Sequence, residues 1–175
     1  MAEPLTSPQA LFAARLRQLL RIELTLAERV LPTLLDGARS HELRRGFERH
    51  LLETRAHAET LRTLLRRLAA DGQPEESAAL AGLIADHERL VARLADEDAL
   101  LRDLAHAEAA AQTEHLEIAA YDTLASLADA LGEEEAAAAL REIAGQERFA
   151  LEQVERAATA LLAEQVESAR LYTRP

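Results

Sequence analysis

The sequence contains no cysteine. That absence excludes disulfides, thiolate metal sites and thiol nucleophiles, and it accords with a reducing compartment. Aromatic residues make up only 3% of the chain, and basic residues are outnumbered, with 20 Lys and Arg against 31 Asp and Glu for a formal charge of −11. A surface this acidic argues against binding the phosphate backbone of nucleic acid or an anionic membrane. No uncharged apolar run reaches the roughly 18 residues that a membrane-spanning helix needs. Residues 1–8 lack a basic segment followed by an apolar run, so no secretory signal is read there and a soluble, cytoplasmic protein is expected. Gly-rich phosphate loops, Ser-His-Asp patterns at turns and basic aromatic platforms are also missing, which removes nucleic-acid enzymes and nucleophile-based hydrolases.

Alanine, leucine, glutamate and arginine dominate, a composition that favours helix strongly. The 175 residues suit one domain with a sizeable core. Ser7-Pro8 is a helix start, serine as N-cap and proline at the first helical position. Helix A is expected over 8–37, with an apolar stripe through Phe12, Leu16, Leu19/Leu20, position 23, Leu26/Ala27, Val30 and Leu34. Pro32 falls inside it and should kink it. Helix B is expected over 40–70, ended by Asp71-Gly72-Gln73-Pro74, and a crossover helix over 75–94. Asp96-Glu97-Asp98 caps helix C over 99–131, and Gly132 turns the chain into helix D over 133–168, whose first-turn Glu133, Glu134 and Glu135 suit the helix dipole. The tail from Arg170 to Pro175 should fray. The expected fold class is therefore all-α: a ferritin-like four-helix bundle of two antiparallel hairpins joined by one long crossover, filling a single domain over 1–175.

Each long helix carries a glutamate on or beside its apolar stripe: Glu23, Glu53, Glu117 and Glu147. Singly, each has a plain explanation as a side chain leaning out to water, because ionised carboxylates are seldom buried unless paired or metal-bound. Their spacing says more. Glu23 and Glu53 are 30 positions apart, as are Glu117 and Glu147, and each pair straddles a turn near its midpoint. At about 1.5 Å of rise per residue, both pairs come to one level of the bundle. Carboxylates meeting there would repel one another without cations between them.

That is the chemistry of a dinuclear carboxylate centre, with imidazoles completing the coordination. Helix B supplies His50 and His57 in line with Glu53. Glu114 lies one turn before Glu117, and Tyr121 one turn after it is suited to supporting a ligand. A histidine near an apolar face is more often a satisfied core residue than a ligand, and His41, His87, His106 and His115 are set aside on position. Iron is the first choice of metal, with manganese or zinc as alternatives. Two other readings compete: a non-catalytic scaffold with the glutamates in a polar seam, and a lipid- or small-molecule-binding bundle, for which the narrow alanine-rich stripes leave little room.

The segments Phe47-Glu48-Arg49-His50-Leu51-Leu52-Glu53-Thr54 and Glu114-His115-Leu116-Glu117-Ile118-Ala119-Ala120-Tyr121 resemble signature stretches of the bacterial YciE/YciF-like proteins. Gly82-Leu83-Ile84, Thr123-Leu124 and Leu131-Gly132 add to the resemblance, which covers roughly residues 15 to 160. It implies a ferritin-like fold, a homodimer and a part in bacterial stress responses. The Glu-x-x-His pairs of ferritins are not reproduced: Ala56 and Ala150 stand three residues after Glu53 and Glu147. The resulting site is rich in carboxylate, with histidine biased to one side.

Overall fold

The computed structural model describes residues 5–70, 72–95 and 98–172, with only the backbone of 165–172 described. Asp71, Asp96 and Glu97, named above at helix ends, lie outside the described residues, as do positions 1–4 of the N-terminal stretch and 173–175 of the tail. All regular structure among the described residues is helical: α1 Pro8–Thr25, a π-helical turn Leu26–Val30, α2 Leu31–Gly37, α3 His41–Arg67, α4 Ala78–Val91, α5 Ala99–Leu131 and α6 Glu134–Tyr172.

Side-chain caps fix where the helices begin. Ser7, Ser40, Ser77 and Asp98 each accept a hydrogen bond from the backbone N–H three residues on, at 3.0–3.4 Å. Gly132 ends α5 at φ 76°, a left-handed position that glycine adopts without a Cβ penalty. α3 closes at Arg67, with Leu68 as its C-cap and Ala69 at φ 47°.

Pro32 does not act alone in the first helix. A proline ring crowds the carbonyl four residues earlier, here that of Glu28. The chain widens into the π turn just ahead of it, and Leu31 N–H bonds to Leu26 O, five residues back. The apolar stripe shifts with it: Leu26 and Ala27 are buried, and Leu31 rather than Val30 is the next residue inside.

α1 packs on α3 and α5, α6 packs on α5 and α3, and α4 lies against α5. The core between them is built of leucine and alanine, with Phe12, Phe47 and Tyr121 as its large rings. Buried Asp103 of α5 accepts hydrogen bonds from the backbone N–H groups of Arg39 and Ser40, both at 2.7 Å, and so ties the α2–α3 turn to α5. The segment leading into α4 is held to α1 by Arg17–Glu75 at 2.8 Å and Arg21–Glu76 at 3.1 Å. No helix among the described residues is long and apolar enough to cross a membrane.

Candidate metal centre

Six carboxylates and imidazoles from four helices converge in the middle of this core. Glu23 comes from α1, His50 and His57 from α3, Glu114 and Glu117 from α5, and Glu147 from α6, and every one is buried. The helical period forces them there. On α3 the buried line is His50, Thr54, His57, Leu61; on α5 it is Glu114, Glu117, Tyr121, Leu124; on α6 it is Ile143, Glu147, Ala150, Val154. Each polar residue occupies a position whose neighbours one turn away are packed inside, so burying the leucines carries the charges in with them.

The ligand atoms fall into two groups. His50, Glu114, Glu117 and Glu147 each offer one atom within 4.8 Å of the others, and so do Glu23, His57 and Glu147. Glu147 belongs to both. His50 Nε2 lies 3.1 Å from Glu114 Oε1 and 3.8 Å from Glu147 Oε2, while His57 Nδ1 lies 2.9 Å from Glu147 Oε1 and 3.7 Å from Glu23 Oε2. The His57–Glu147 separation is within hydrogen-bonding range, but the alignment is not, so the pair is an electrostatic contact. Both oxygens of Glu117 and Glu147, one each of Glu23 and Glu114, and Nδ1 of both histidines are buried without a hydrogen-bond partner. Orphaned buried acceptors of this kind are costly, and cations between them would satisfy the carboxylates, whereas His50 Nδ1 faces Glu53 at the rim. The donor set of carboxylate and imidazole suits iron, manganese or zinc, and four carboxylates balance the charge of two divalent ions.

Without cations, protons take up the strain. Burial, then the neighbouring carboxylates, pushes Glu114 and Glu117 well above the usual carboxylate range. Glu23 is raised by burial despite the opposing contacts of His57 and Tyr121. Burial works against charge on His50, yet Glu114, Glu53 and Glu147 raise it to about 9. Burial is likewise overcome at His57, which Glu147 and Glu23 raise to about 10.

Tyr121 supports the centre: its hydroxyl donates to Glu23 Oε1, and its ring meets His57 edge-on at 6.4 Å. Burial, with Glu23 and Glu117 beside it, raises its phenol well above the ordinary value. Glu53 joins neither group. It sits at the rim, 3.5 Å from His50 Nδ1 and 3.9 Å from Arg49, with its side chain 29% exposed, and His50 holds its carboxyl below the ordinary value. Gln146, which no sequence pattern singles out, places its Oε1 2.7 Å from His57 Nε2. Of the histidines set aside, His41 and His115 are exposed. His87 and His106 form a separate pair at 3.2 Å between α4 and α5.

Comparison with known proteins adds a family and a fold. A family profile described as a domain of unknown function, DUF892, matches residues 7–167. No curated protein matches the chain. Among solved structures, YcfI of Rhodopseudomonas palustris, whose suggested role is structural, is similar with a TM-score of 0.83 and 25% identity, over 89% of this chain and 97% of that one. The Escherichia coli stress protein YciF is similar with a TM-score of 0.79 and 27% identity, over 90% of this chain and 98% of that one. A protein of Xanthomonas campestris pv. campestris shares the fold at a TM-score of 0.69 and 20% identity, over 94% and 99%.

Proposed function

The chain belongs to the DUF892 family, and we propose that it is a ferritin-like four-helix bundle that houses a dinuclear metal centre. The ring of contacts α1–α3–α6–α5–α1, with α4 in the long connection, supports the bundle. The observation that carries the metal centre is the convergence of buried, partnerless carboxylate oxygens and imidazole nitrogens from four helices, arranged in two groups that share Glu147. One ion would be held by His50, Glu114, Glu117 and Glu147, the other by Glu23, His57 and Glu147. Glu53 would steady His50 from the rim, and Tyr121 would steady Glu23. Iron is the first choice. An iron pair so held supplies redox chemistry toward an oxidant such as dioxygen, and oxidation of ferrous iron is the reaction that fits. The same reading takes 1–175 as one domain, working as a homodimer in the cytoplasm in a stress response, since the E. coli relative YciF is a stress protein.

The test is anaerobic loading of the purified protein with ferrous iron, followed by air. Binding of about two ions per chain, with oxo-bridged absorbance appearing on oxidation, is expected. Tight binding and absorbance both missing would remove the metal centre.

A second reading is favoured by the structural role suggested for YcfI: a dimeric scaffold without a functional metal centre. Glu147→Gln separates the two. In a scaffold it relieves repulsion and raises Tm whatever metal is supplied. In a metal protein it also abolishes the stabilisation that added metal confers.

A further inference from the structure

A cleft of about 280 Å³ opens between α3 and α6 and runs inward to His50 and Glu114. At its outer end stand exposed Glu42 and Arg45. At its inner end lie His50 and Glu114, both buried, and Glu114 Oε2 has no hydrogen-bond partner. The volume equals that of roughly nine water molecules at about 30 Å³ each, ample for a molecule of a few heavy atoms. Neither the larger groove between α1 and α5 nor the cleft beside His87 includes any residue of the centre.

Gly46 lies on the wall of this cleft, inside α3. A glycine within a helix is destabilising. Nothing here requires it for packing, since a Cβ at that position would meet no atom within 4 Å. A large side chain at this position would stand in open space on the wall of the cleft. The charge of the mouth is also set apart. Arg45 and Arg49 face Glu42 and, 3.9 Å from Arg49, Glu53, so the mouth carries no excess of negative charge on a chain whose formal charge is −11. Such a mouth draws cations less strongly than the acidic surface around it and admits neutral or anionic solutes.

We propose that this cleft is the port through which a small neutral or anionic ligand, of the size of dioxygen or azide, reaches the His50–Glu114 side of the centre. This rests on the metal-centre reading above. The cation itself is not what the mouth selects; the port serves the molecule that meets the metals.

The test uses the full chain loaded with cobalt(II), azide as the probe and the cobalt absorbance as the readout. Azide should bind the native loaded protein and perturb its spectrum. Gly46→Phe on one wall and Gln153→Trp on the other should each slow azide association about tenfold or more, with cobalt stoichiometry unchanged. Ala119→Trp, in the α1–α5 groove, should leave the rate as it was. Arg45→Glu, an exposed change that disturbs no packing, should slow association severalfold at low salt and little at high salt. Native rates in the two plugged proteins and in Arg45→Glu would overturn the port while leaving the metal centre standing, as would failure of azide to bind the cobalt protein. Failure of cobalt to bind the native chain would overturn the metal centre, and the port with it.

Discussion

His57 is gripped at both ring nitrogens by consecutive residues of α6: Nδ1 lies 2.9 Å from Glu147 Oε1, and Nε2 lies 2.7 Å from Gln146 Oε1. An amide oxygen only accepts, so with this amide orientation Nε2 carries the proton. In the neutral ring the lone pair then sits on Nδ1, facing the carboxylates, which is the form a metal requires.

Gln146→Leu should therefore weaken metal binding by about 10- to 100-fold, and Gln146→Glu should preserve it. Gln146 is exposed, so helix content should not change. Competition against a chromophoric chelator measures the affinity. Equal affinity for wild type and Gln146→Leu would show that the ring needs no help from outside.

Glu147 is shared between the two ligand groups, whereas Glu23 belongs to one. Glu147→Gln is expected to remove both ions, and Glu23→Gln only one. Elemental analysis after desalting reads the stoichiometry. Loss of a single ion in Glu147→Gln would mean that the groups are independent.

The stability of the metal-free protein should fall as pH rises. His50 and His57 are raised from 6.5 to about 9 and about 10, so above pH 6.5 the folded chain keeps protons that the unfolded chain has lost. Their stabilisation is complete below 6.5 and disappears by pH 9 to 10. The raised Glu114 and Glu117 act with the same sign, starting from their unfolded value of 4.5. With about 2–4 °C of Tm per kcal/mol in a chain of this size, thermal unfolding followed by circular dichroism should show a decline of several degrees. Bound metal should flatten it, because cations then replace the protons. A Tm that climbs over this window in the metal-free protein would contradict the assignment.

Gly37 is pressed against a ring. A Cβ there would collide with His106 Nε2, and His106 is itself buried, 3.2 Å from His87. Gly37→Ala should cost about 1–3 kcal/mol through overpacking. Denaturant unfolding measures it, and an unchanged midpoint would mean that the imidazole swings aside freely.

The centre was legible wherever a polar residue interrupts an apolar stripe. Glu23, Glu114, Glu117 and Glu147 each stand in a run of buried neighbours, and His50 and His57 lie two turns apart on one such line. Glu53 shows the limit of spacing alone. Three residues past His50 leaves it about 60° off that line at 100° per residue, and Thr54 takes the inner place, its hydroxyl bonded to His50 O. Gln146 carries no signal in the sequence, because an exposed glutamine beside a stripe is ordinary and only the path of α3 gives it a partner. Asp103 and His106 were hidden for the same reason: what buries them is the α2–α3 corner, a tertiary contact between residues more than 60 positions apart. Ser7, Asp98 and Gly132 were readable as punctuation because capping chemistry is local.

The π turn at Leu26–Val30 sits three residues after Glu23. A π turn holds one residue more than the α ladder it interrupts, so it works as a phase adjuster between the two halves of the first helix. Excising one residue there would let the ladder run straight through and rotate everything before it by about 100° relative to everything after. The half that carries Phe12 and Leu16 is locked into the core, and so is the half that carries Leu31 and Leu34. A one-codon deletion in this stretch would thus force a choice between keeping the hydrophobic seal and keeping Glu23 aimed at its companions. Changes of length here bear on where Glu23 points, although no residue of the turn belongs to either ligand group.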